Sequence, residues 1–234
     1  MSTTSHPENA VAPARRGRPR SGQSDLSRET IVQAAVDIIG SEGAGALSLR
    51  VVARRLGVDA KSLYNHIENK EALLDAVAEH VLSRMVIPER TGDLRSDLVA
   101  IAHAFRAAAL SSHREAATLV LSRPVESLAH LAPLEATLAA LISAGAKPAW
   151  AVHAVRAVLA FMTGTLLREA TTGLTLGSDD VEIASPREAA LGKLGLPHIA
   201  LVAHHLSRLD HAREFDFGIK ILADAFIHEL GNPS

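Results

Sequence analysis

The chain has no cysteine in its 234 residues. That absence excludes a disulfide frame, a thiol nucleophile and a cysteine-type zinc site together. Aromatic residues are almost as scarce, at 3% of the chain, with one Trp, one Tyr and five Phe. Strands draw on aromatic and β-branched residues, so a chain dominated by Ala and Leu favours helices. No uncharged run reaches the roughly 18 residues of a membrane span. The opening "MSTTSHPENAVAPARRGRPR" lacks the apolar centre of a secretion signal. The expectation is a soluble, cytoplasmic protein with no membrane partner. Catalytic signatures are missing too: there is no phosphate-cradling glycine loop, nucleophile elbow or His-Glu-x-x-His pattern, and "GAG" and "GKLG" stand alone. An enzyme is therefore not expected, and neither a cofactor nor a metal is implied. His204, His205 and His211 cluster near His198, but without cysteine or a His-Glu-x-x-His pattern they make a weak metal signal, and His80 and His103 read as packed or partly exposed helix residues.

What is present is an apolar fraction of 47%, enough for a sizeable core, and a net charge of −2. That charge is divided. Residues 15–85 hold 11 Lys and Arg against 9 Asp and Glu, whereas residues 86–234 hold 13 against 16. A mildly basic front permits nucleic-acid binding without establishing it.

Residues 1–25 are rich in Ser, Pro, Ala and Arg, lack apolar periodicity and read as a disordered basic arm. From Ser27 the pattern turns helical. Ile31, Ala34, Ala35, Ile38 and Ile39 share one face, Ser27 caps it and Gly43 stops it. "ALSLRVVARRLG" predicts a second, short helix, capped by Ser48 and ended by Gly57. Asp59 caps a third of about two turns with Leu63 and Ile67 inward, and Asn69 caps a fourth, closed by Pro88. Further helices are predicted from about Asp93 to Ser111, Arg114 to Ser122, Val125 to Ala144 and Pro148 to Thr172. Residues 173–185 read as a mobile loop, Ser185 and Pro186 as the start of another helix, and "AREFDFGIKILADAFIHEL" as the last. No strand is expected. The fold class is all-α: an N-terminal three-helix helix-turn-helix unit, residues 26–86, and a larger C-terminal bundle, residues 87–234.

A helix, a tight turn at Gly57 and a second short helix is the layout of a helix-turn-helix. With its apolar residues turned to the bundle, the third helix presents Lys61, Ser62, Tyr64, Asn65 and His66 outward. Such a helix fits the major groove, about 12 Å wide. Asn65 suits adenine and Lys61 guanine, while Tyr64 and Lys70 suit phosphates. The competing reading is an ordinary solvated helix face.

The segment "LSRETIVQAAVDIIGSEGAGALSLRVVARRLGVDAKSLYNHIENKEALLDAVAEHVL" resembles the DNA-binding domain of TetR-type repressors, nearly without gaps, from Leu26 to Leu82. The resemblance implies that residues 59–66 form the recognition helix. It implies DNA contacts by Ser48, Arg50, Ala60, Lys61, Ser62, Tyr64, Asn65, His66 and Lys70. Tetracycline repressors carry an aromatic residue where Asn65 stands and a glutamine where Ala60 stands, so the operator is expected to differ. "AFRAAALSSHREAATLVLSRPVES" and "AREFDFGIKILADAF" resemble the same repressors' ligand-binding core.

That core implies two jobs, homodimerisation and effector binding. Two heads multiply the base contacts of one short helix across a symmetric operator. The last helix and the helix from Pro148 are the interface candidates. Tetracycline repressors hold a drug–magnesium chelate through histidines, with a glutamate nearby. At the matching places this chain has Val86, Val120, Ala160 and Arg168, so the small-molecule effector is not expected to be magnesium–tetracycline. Phe105, Arg123 and Phe161 match the family and are expected to line the pocket with Arg168. Arg168 in an apolar cavity favours an anionic or carbonyl-bearing ligand; the other reading pairs it with Glu169 or another acid. In the arm, "RRGRPR" resembles an AT-hook core, which lays arginines into a narrow minor groove. Arg18 and Arg20 are its DNA-contact candidates, against the alternative of a generic basic tail. The function expected is a ligand-responsive DNA-binding regulator of transcription, a repressor released from operator DNA by its effector. An activator or a ligand-independent architectural protein is the alternative.

Overall fold

The computed structural model describes residues 26–111, 117, 119, 128–170 and 176–232. Four helices build the head. Helix α1 spans Arg28–Glu42; a 3-10 turn follows at Ala44–Ala46; α2 spans Leu49–Leu56, α3 Ala60–Leu63 and α4 Lys70–Ser83. Short polar side chains set their starts, because the first N–H groups of a helix have no partner within it. Ser27 accepts from the Thr30 N–H and Thr30 answers in a reciprocal cap; Ser48, Asp59 and Asn69 accept from Val51, Lys61 and Ala72. Gly57 ends α2 at φ 68°, the left-handed conformation that side chains resist.

The head buries Ile31, Ile38, Ile39, Leu47, Val52, Leu63, Leu73 and Val77 in one cluster. Helix α3 is shorter than its two-turn expectation. It closes after Leu63, and residues 64–66 continue as a turn whose Leu63 carbonyl accepts from both the His66 and Ile67 N–H groups. Leu63 and Ile67 are both buried, so one wound turn suffices to seat the segment.

The body contains α5 (Leu94–Leu110), α6 (Leu128–Ser143), α7 (Pro148–Ala170), α8 (Val181–Leu191), α9 (Pro197–Ser207) and α10 (His211–Gly231). Helix α5 packs on α10 and α6, α7 on α10 and α6, and α4 bridges from the head to α5 and α6. Phe215, Ile219, Leu141, Val158 and Met162 belong to this second core. Helix α7 is long and apolar enough to cross a membrane by length and composition. Its inner stripe, Ala151, Ala154, Val155, Val158, Met162 and Leu166, is nevertheless buried, as in a core helix. Phe105 packs against the head core, the body core and a third small cluster around Ala109, Ala117 and Leu166. It is a physical joint between the two units.

Two corrections concern residues 176–207. The expected loop at 173–185 is partly helical: α8 begins at Val181, four residues before Ser185, because Asp180 accepts from the Glu182 N–H and caps it. Pro186 therefore lies inside the helix rather than at its start. Helix α9 was not expected, although Pro197 supplies its first turn. Together α8 and α9 form a hairpin packed chiefly on itself. At its neck Ser178 donates to the Ser207 carbonyl at 3.0 Å and Leu209 donates to the Ser178 carbonyl at 3.1 Å. A Cβ on residue 177 would stand 2.6 Å from the Arg208 carbonyl oxygen, so this crossing requires Gly177. Arg18, Arg20, Val120, Arg123 and most of the helix expected over 114–122 lie outside the described residues.

Candidate nucleic-acid interface and effector region

The reading surface is built from below. Leu63 is fully buried and Ile67 nearly so, which pins the α3 turn to the head core. Alternation around that turn then forces Lys61, Tyr64, Asn65 and His66 outward, and all four are exposed. Tyr64, the chain's one tyrosine, is 57% exposed. Ser62 is half-buried, and Ala60 is partly packed against the head core, so Ala60 offers less surface than its neighbours. Arg50, one residue into α2 from its start, and Lys70, at the start of α4, are exposed, with Ser48 half-buried as the α2 cap. Among the described residues, Arg50, Lys61 and Lys70 have no ion-pair partner, unlike Arg55, which holds Glu42 at 2.8 Å. Exposed cations left unpaired suit phosphates. Glu29, at the start of α1, is an acid close enough to His66 to feel its charge. Its carboxyl is held below the usual value chiefly by a backbone N–H and the Ser27 hydroxyl, with a smaller pull from His66.

The head is braced behind that surface. Arg55–Glu42 ties α2 to the end of α1, and Arg28–Glu79, at 3.7 Å, ties the start of α1 to α4. After α4, buried Asp97 anchors the connection to α5. Its Oδ1 accepts from the Thr91 N–H and from the Thr91 hydroxyl, each at 2.7 Å, while Arg90 stands 3.7 Å from Oδ2. Burial works to raise the Asp97 pKa. The bonds from Thr91 and Gly92 and the charge of Arg90 outweigh it, and the net direction is downward.

Of the four residues expected to line a pocket, Phe105, Phe161 and Arg168 lie among the described residues. Phe105 is the joint between cores. Phe161 packs its ring 5.6 Å from that of Phe215 and over Gly218, where a Cβ would collide with it. Arg168 is exposed on α7. Its expected alternative partner, Glu169, is bound instead by Arg106 across to α5, in a two-pronged pair at 2.6 and 3.1 Å. The body also holds an open cleft of about 1020 Å³, whose lining does not include Phe105, Phe161 or Arg168. That cleft lies where α5, α7 and the start of α10 meet the hairpin, and its walls include Arg106, Glu169, His205, Arg208, Arg213 and Phe217. No single sequence motif joins these residues; the paired Arg106 and Glu169, on separate helices, were missed. His204 on α9 and Arg208 just after it both reach Glu188 on α8, at 3.2 and 2.8 Å, and brace the hairpin wall.

Comparison with known proteins follows this division of the chain. Residues 31–77 match the family model of bacterial regulatory proteins of the tetR family, and residues 88–225 match the tetracyclin repressor-like C-terminal domain. The class A tetracycline repressor from transposon 1721 of Escherichia coli is 35% identical over 147 residues, 62% of this chain and 67% of that protein. The class G tetracycline repressor of Vibrio anguillarum is 29% identical over 204 residues, 86% of this chain and 93% of that one. The crystal structure of the Streptomyces coelicolor TetR family protein ActR in complex with actinorhodin is similar with a TM-score of 0.79 and 25% identity, over 90% of this chain and all of that one. A DNA-reading head, a helical body and matches to both family models agree: this chain belongs to the TetR family of transcriptional regulators.

Proposed function

We propose that this chain is a repressor that binds a symmetric operator as a homodimer and leaves it when a small molecule occupies the body. One observation carries the reading: Lys61, Tyr64, Asn65 and His66 stand exposed together on a turn whose Leu63 and Ile67 are anchored in the head core. Asn65 and Lys61 read base edges in the major groove, while Ser48, Arg50, Ala60, Ser62, Tyr64, His66 and Lys70 fix the backbone and the register. Arg18 and Arg20 of the arm reach the adjoining minor groove. Residues 26–86 act as the reading unit and 87–234 as the sensing and pairing unit, working in the cytoplasm where the operator lies. The chain acts by binding, without turnover.

The pairing surface has support in exposed apolar side chains. Val152, Leu159 and Leu167 lie along one face of α7, and Phe217 and Ile221 lie on α10. Exposed stripes of this kind on two adjacent helices suit a bundle between two copies. The relatives' names support the effector: tetracycline repressors and an actinorhodin-bound regulator are among them. Val86 and Ala160 carry no metal-binding group where the tetracycline repressors have polar contacts, so magnesium–tetracycline is not the effector here. The test is fluorescence anisotropy of the full chain on the DNA flanking its coding sequence. Saturable binding at two chains per site, steeply weakened by salt, supports the proposal; binding indistinguishable from that to random DNA contradicts it.

A further inference from the structure

Arg106 and Glu169 form the floor of the cleft, with side chains only 18% and 8% exposed. The described residues take two of the five Arg106 N–H groups, both on Glu169, and the guanidinium lies 5.5 Å from the centre of the Phe215 ring. Among the described residues, the remaining donors stay unused on a cation whose charge Glu169 balances. A full anion brought to Arg106 would approach the Glu169 carboxylate as well, and at low dielectric that repulsion offsets much of the attraction. A neutral oxygen acceptor meets the same donors without that repulsion. Val181, Ala184 and Leu209 give the cleft an apolar wall.

We propose that this cleft is the effector site, that Arg106 reads a carbonyl oxygen on an apolar ring system, and that Glu169 sets the preference for carbonyl over carboxylate. The inference rests on the regulatory reading above and deepens it. The route to the head is short: Phe105, next to Arg106 on α5, packs against the head core and the body core at once. A ligand seated on Arg106 biases where α5 holds Phe105, and so the set of the heads. By linkage, the ligand that loosens the operator binds less tightly to the DNA-bound form.

The test uses three probes of one skeleton, acetylnaphthalene, ethylnaphthalene and naphthoate, titrated calorimetrically into the full-length chain. The wild type should bind the ketone about tenfold or more tighter than the hydrocarbon, and tighter than the carboxylate. Arg106→Gln and the more conservative Arg106→Lys should erase or shrink the ketone's advantage, with fold checked by circular dichroism. Glu169→Gln should reverse the order and favour naphthoate. Equal affinities for ketone and hydrocarbon, no binding of any probe, or an order unchanged by Glu169→Gln would each overturn the assignment. Operator affinity of the same unliganded wild-type preparation reports on the regulatory reading separately, so the two failures are distinguishable.

Discussion

At the scale of single residues, Asp97 shows how a buried acid is kept charged. Its net downward pKa means that the folded protein holds its proton less tightly than the unfolded chain does. Falling pH therefore protonates the unfolded chain first. The stability Asp97 contributes is complete above the usual carboxylate pKa and is lost as pH drops through the folded value. Urea midpoints from pH 6 down to about pH 3 should fall more for the wild type than for Asp97→Asn. At neutral pH that substitution should cost about 1–3 kcal/mol, since it weakens the bonds from Thr91 inside a buried site. Identical pH profiles for the two proteins would remove Asp97 from this role. Arg106 and Glu169 form a largely buried pair, in which one partner cannot be deleted without stranding the second.

At the scale of elements, the caps explain why so many helix boundaries are readable in advance. Ser27, Ser48, Asp59, Asn69 and Asp93 act within three residues of themselves, so the information lies in the local string. Ser48→Ala should destabilise the head by about 1 kcal/mol, read as a lowered thermal midpoint, with operator binding weakened because α2 presents Arg50. Gly57→Val should cost at least as much, because φ 68° strains a β-branched residue even though the space around it is open. The hairpin was not legible. "GLTLGSDD" has loop composition, yet its last Asp is a cap, and α8 and α9 pack mainly on each other, so neither shows the clean apolar stripe of a helix laid on a core. Phe105 and Phe161 pack on cores and rings, and an aromatic residue on a helix gives the same sequence signal whether it faces a cavity or another ring. The cleft draws on residues from α5 to α10, more than a hundred positions apart, and only the fold brings them together.

At the scale of the whole molecule, the exposed apolar residues of α7 and α10 and the exposed reading turns belong to one design, since two heads must be spaced by a shared body. Leu159→Glu with Ile221→Glu should convert the dimer to monomer in sedimentation equilibrium and weaken operator binding by two orders of magnitude or more, as the second half-site is lost. A monomer that bound operator as tightly as the wild type would separate pairing from recognition. The measurement that reaches the central claim most directly is anisotropy on the flanking DNA for wild type, Tyr64→Ala and Asn65→Ala, each confirmed to be folded. If the α3 turn reads the duplex, Asn65→Ala should lose about tenfold or more in affinity and narrow the gap between specific and random DNA, whereas Tyr64→Ala should weaken both alike. Affinities unchanged by either substitution would contradict the account.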